Sequence, residues 1–182
     1  MKLGLRQIIA VIPALFLAIV TPAQDLPKMP ADQAVTAGVL PNGLSYYIVS
    51  NTYEKGLADF ALIQKTGTLS VPDSLAVDSD AVKVARQALT SLPRLKNDSP
   101  QDFFIRHGAV PGRNGYVSVS EDATVFRFPG VRLSDHKAVL DSALVVLLDI
   151  ADRGNFSDNP FLNKWYASAD QAMVISGDVD AK

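Results

Sequence analysis

Apolar residues in this chain repeat at two different periods, and that change of period restricts the fold to a mixed one. Thr36 to Leu40 and Leu44 to Val49 are two β-rich runs separated by Pro41-Asn42-Gly43. An Asn-Gly turn between two such runs predicts a hairpin. Ala58 to Lys65 predicts a third strand, with Phe60, Leu62 and Gln64 on one phase and Ala61 and Ile63 on the other. Apolar character on both phases implies a sheet covered on at least one face. The period then lengthens to threes and fours. Val82, Val84, Ala85, Ala88, Leu89 and Leu92 predict a helix opened by Asp80 and stopped by Pro93. Ser99-Pro100-Gln101-Asp102 opens a second helix, with Ser as cap, Pro at the first position and an acid at the third. His107-Gly108 ends it, with Gly placed to turn left-handed.

Strands are expected at Gly115 to Ser120 and Thr124 to Pro129. Ser134-Asp135 caps a helix whose stripe is Val139, Leu140, Ala143, Leu144, Val146, Leu147, Ile150 and Ala151. A short helix around Phe161 to Ala167 then leads into a strand from Ala172 to Ser176. No segment repeats another. The order of elements predicts an α+β domain, with helices packed on a largely antiparallel sheet.

The first residues have a different character. Lys2 and Arg6 precede an apolar run from Ile8 to Val20, and Thr21-Pro22-Ala23 supplies small residues after it. This is the pattern of a secretory signal peptide over residues 1–23, with cleavage after Ala23. The run is shorter than the ~20 residues of a bilayer span, so no stable membrane span is expected after cleavage. Residues 24–35, with Pro27 and Pro30, are expected to be a linker, and 36–182 the domain. An exported chain without cysteine suits a bacterial periplasm or exterior.

Composition removes much chemistry. With no Cys there is no disulfide, thiolate metal site or thiol nucleophile. Seventeen basic against 19 acidic residues leave no basic surface of the kind that binds nucleic acid. The two histidines, His107 and His136, cannot form a His-x-x-x-His zinc site, and no Gly-x-Ser-x-Gly elbow exists. His107 is expected to serve a helix C-terminus, where a cation is favoured. His136 falls in the first turn of a helix, on its expected solvated face. Glu121-Asp122 is expected to be a polar turn between two strands. Taken residue by residue, the chain presents no active site.

Four motifs, in order, nevertheless resemble a known family. Leu40-Pro41-Asn42-Gly43-Leu44 followed by Tyr46-Tyr47-Ile48 resembles the opening L-P-N-G-L turn of M16 (insulinase, pitrilysin, processing-peptidase-like) metallopeptidases. Gly112-Arg113-Asn114 through Ser120, Asp122 and Thr124-Val125-Phe126 resembles the stretch G-x-N-x-N-A-Y-T-S-x-D-E-T-V-Y. Val139 to Leu144 resembles the L-L-D-S-A-L helix. Lys164-Trp165-Tyr166, Asp170, Met173-Val174-Ile175 and Gly177 to Asp180 resemble K-W-Y-x-P-D-x-M-x-x-V-V-x-G-D-V-D.

The family's inverted zinc motif, H-x-x-E-H, is where the chain departs. Anchored on Lys96-Asn97, it falls on Ala85 to Leu89. Ala85 and Leu89 would stand for the two histidine ligands and Ala88 for the catalytic glutamate. The helix carrying the family's third ligand, a glutamate, is expected to be deleted between Phe156-Ser157 and Phe161. Tyr116 takes the place of an asparagine that by resemblance contacts substrate backbone, Ala123 that of a glutamate, and the family fold continues beyond Lys182. The resemblance therefore implies a shortened M16-like domain with no catalytic residue, metal or cofactor. Asn114, Tyr116 and Val117 are carried over as its substrate-binding positions. Its expected role is that of a partner subunit for an active M16-like protein, or a module that self-associates or binds extended peptide. The alternatives are an M16-type or other hydrolase with an unrecognised site, and a decayed gene product.

Overall fold

A computed structural model describes residues 32, 34–70, 80–90, 98–133, 136–152 and 160–180, all within one compact unit, Asp32–Lys182. The expected signal peptide and most of the expected linker lie outside the described residues, as do Ser134, Asp135 and the segment 153–159. The side chain of His136 lies outside them too. Among the described residues, no helix is long and apolar enough to cross a membrane.

The Asn-Gly signal makes the hairpin it predicts. Strands β1 (Val35–Val39) and β2 (Ser45–Ser50) pair antiparallel. Gly43 takes φ +90° between them, and its N–H donates to the Leu40 carbonyl at 2.9 Å. The side chain of Asn42 accepts from the Leu44 N–H at 3.2 Å. The first strand begins at Val35, inside the stretch expected to be linker. Strand β3 (Leu57–Gln64) buries every second residue, Ala58, Phe60, Leu62 and Gln64.

Helix α1 (Asp80–Thr90) and helix α2 (Pro100–Arg106) follow. The ends of α2 are built as its sequence implies. Ser99 Oγ accepts from the Asp102 N–H at 3.0 Å. Gly108, at φ +89°, closes a Schellman turn: its N–H donates to Ile105 and that of Ala109 to Phe104. A side chain at Gly108 would also require the guanidinium of Arg132 to shift. His107 is the C-cap of this helix and lies 4.7 Å from the Phe103 ring.

Strands β4 (Val117–Val119) and β5 (Thr124–Arg132) come next, then α3 (His136–Ala151), α4 (Pro160–Trp165) and β6 (Gln171–Gly177). Glu121 and Asp122 form the exposed turn between β4 and β5. Pro129, expected to end its strand, lies inside β5. Register shifts opposite Ala58–Phe60, and Gly130 there takes φ +70° and donates its N–H to Asp59 Oδ1 at 2.8 Å. A bulge absorbs the residue that has no N–H to give the ladder.

The six strands form one sheet in the order β1-β2-β6-β3-β5-β4. All neighbours are antiparallel except β2 and β6, which run parallel. One sheet face is the core. Ile48, Ile175, Phe60 and Phe128 lie in register across four strands, and Tyr46, Met173, Leu62 and Phe126 form the next row. Val139, Ala143, Val146, Leu147 and Ile150 of α3 join the same cluster, with Ala85, Ala88 and Leu89 of α1 and Phe103 and Phe104 of α2.

Buried glutamines tie the helix ends to this sheet. Gln64 Nε2 donates to the Trp165 carbonyl that ends α4, at 2.9 Å, and Gln171 Nε2 to the Ala151 carbonyl that ends α3, at 2.8 Å. Each satisfies a carbonyl that the last helical turn leaves without an internal partner.

Candidate functional site

Four of the six positions singled out by resemblance line one groove. It encloses about 750 Å³ between α1, α2, the 109–115 loop and the edge strand β4. Val82, Arg86 and Leu89 of α1 form one wall, Gln101 and Ile105 of α2 a second, and Val117 to Val119 the floor. Asn114 and Tyr116 stand at the floor's N-terminal end. Thus Leu89, Asn114, Tyr116 and Val117 come together, although 25 positions separate Leu89 from Asn114.

Ala85 and Ala88 are fully buried under the α1 wall and Leu89 is 5% exposed. An alanine methyl or a leucine side chain carries no lone pair for a metal and no proton to transfer. Among the described residues, no three His, Asp or Glu side chains lie close enough to hold a metal ion.

Tyr116 supports the groove from beneath. Its ring stacks on Phe128 at 5.4 Å, and its hydroxyl donates to the Ala109 carbonyl at 2.8 Å. Burial pushes that hydroxyl's pKa up, which keeps it a protonated donor. Asn114, by contrast, is exposed.

The floor offers backbone. Arg127 N–H donates to the Tyr116 carbonyl and Ser120 N–H to the Ala123 carbonyl, both at 2.8 Å, and Ser118 stands opposite Val125 between them. The Tyr116 carbonyl, Ser118 and the Ser120 N–H therefore face β5. An antiparallel ladder alternates, so the N–H and C=O groups of Val117 and Val119 point away from β5, along the outer edge of the sheet. Beyond them the edge closes, because the Ser120 carbonyl accepts from Thr68 N–H at 3.0 Å.

Solved structures share this arrangement of strands and helices. The periplasmic protease PqqL from Escherichia coli superposes with a TM-score of 0.66 at 16% identity, over 84% of this chain and 23% of that one. The fold is that of an M16 peptidase domain. A predicted insulinase family protease from Yersinia pestis gives a TM-score of 0.65 at 18% identity, over 87% of this chain and 47% of that one. Pitrilysin gives 0.61 at 15%, over 88% and 23%. The M16-like chain thus spans between about a quarter and a half of the length of these proteins. No protein-family model and no curated protein matches its sequence.

Sequence reasoning did not single out Arg86, Val82, Ile105 or Val119 as groove residues. The signal for Val119 was present, since it shares a strand phase with Val117. Arg86 lies between the motif positions Ala85 and Ala88 and belongs to no motif of its own.

Proposed function

We propose that this M16-folded chain is a non-catalytic, exported protein that holds an extended peptide or partner segment along the outer edge of β4. One observation carries the reading. The three positions that by resemblance held metal and base are aliphatic, while the groove beside them stays open against a strand edge whose outward backbone groups have no partner among the described residues. An added strand draws affinity from main-chain hydrogen bonds and selectivity from the side chains that enter the groove. Val117 and Val119 supply two donors and two acceptors for it. A partner subunit and a free peptide would use the same edge.

Backbone-modified peptides test this with the chain unaltered. A seven-residue peptide of alternating valine and threonine is expected to bind the full chain. N-methylation at every second residue on one phase removes the N–H groups that meet β4, and binding is lost. The peptide methylated on the other phase keeps those groups and keeps its affinity. Equal binding of both methylated peptides would rule out strand addition.

A further inference from the structure

The groove has an uneven electrostatic lining. Its walls and floor are aliphatic or neutral polar except at Arg86 of α1. That side chain is exposed and makes no ion pair among the described residues. By contrast, Arg106 pairs with Asp98, and Arg127 lies 3.8 Å from Asp59. Arg86 therefore presents a planar set of donors, shaped for a carboxylate, above a strand edge.

Resting on the reading that an extended peptide adds to β4, we infer that the groove selects a peptide with an acidic side chain, which pairs with Arg86. Strand geometry fixes what must accompany it. Residues two apart on an added strand face the same side, so the acidic side chain and an apolar one two positions away enter the groove together. The carboxylate meets Arg86 and the apolar side chain meets Leu89 and Ile105. The residue between them lies on the Ser118 side of the sheet. The preferred segment is thus extended, with one acid and one aliphatic residue in an i, i+2 relation.

Three versions of the seven-residue peptide, with central Glu, Gln or Lys, separate this from the parent reading. On the full chain at low salt, the Glu peptide is expected to bind about twofold to fivefold more tightly than the Gln peptide, the upper part of the range of an exposed ion pair. The Lys peptide binds more weakly than either. In about 1 M salt, where the screening length falls to roughly 3 Å, the Glu preference shrinks toward unity. Arg86→Gln removes the preference for Glu over Gln, and Arg86→Glu transfers the preference to the Lys peptide. Equal binding of Glu and Gln peptides, or a preference that survives Arg86→Gln, overturns the acidic selectivity and leaves strand addition standing. Failure of all three peptides to bind overturns both.

Discussion

Phe104→Ala is expected to lower the thermal unfolding midpoint by about 6–20 °C and to abolish peptide binding with it. Phe104 is fully buried where α2 meets the sheet. Its ring stacks on Phe128 with centroids 3.8 Å apart, meets Phe103 edge-on at 5.1 Å, and lies 6.1 Å from Phe60. Truncating a core phenylalanine costs about 3–5 kcal/mol, from lost burial and from the cavity left behind. Domains are stable by only ~5–15 kcal/mol, so this is a large share. For a chain of this size each kcal/mol moves the midpoint by roughly 2–4 °C. The same contact holds α2 down, and α2 carries Gln101 and Ile105 into the groove wall. Val145→Ala on the exposed side of α3 serves as the comparison and should change the midpoint little. A midpoint for Phe104→Ala within a few degrees of the parent chain would mean that α2 is held by other contacts.

Rebuilding the zinc motif is expected to damage the domain rather than activate it. The triple substitution Ala85→His, Ala88→Glu, Leu89→His places two imidazoles at i and i+4 on α1, on one helix face. The space is not there to receive them. Ala85 and Ala88 have no exposed surface, and overfilling a packed core costs about 1–3 kcal/mol per site. A glutamate at position 88 further buries a carboxylate, which costs several kcal/mol unless it is paired. Two histidines also fall short of a catalytic zinc site, which takes three protein ligands and an open position for water. The variant should unfold at a markedly lower temperature and cleave no peptide. Proteolysis that depends on zinc and stops with a chelator would show that a third ligand is within reach.

The local parts of this fold were legible because their signals are local. Asn42-Gly43 named the hairpin, and Ser99-Pro100 and Gly108 named both ends of α2. Alternation over Ala58 to Lys65 gave the strand β3 but, with apolar residues on both phases, not which phase is buried. Partner choice is a different kind of information. The period of residues 171–177 says which side chains are buried, not that β6 inserts between β2 and β3 and runs parallel to β2. Pro129 misled because proline ends a regular strand, and the compensating bulge at Gly130 depends on Asp59, far away in the chain. The groove was half legible. The resemblance supplied Leu89, Asn114, Tyr116 and Val117, but the walls from α2 and the charge at Arg86 required the packing of α1 against β4.

The central claim is that a peptide lies along β4 and leaves uncut. A titration of the ¹⁵N-labelled full chain with the Glu peptide, followed by NMR, observes both parts at once. The account predicts its largest amide shifts at Val117 and Val119, with Arg86 moving in step, and peptide signals that persist unchanged for days. Shifts that leave those two amides untouched, or new signals from cleaved peptide, would contradict it.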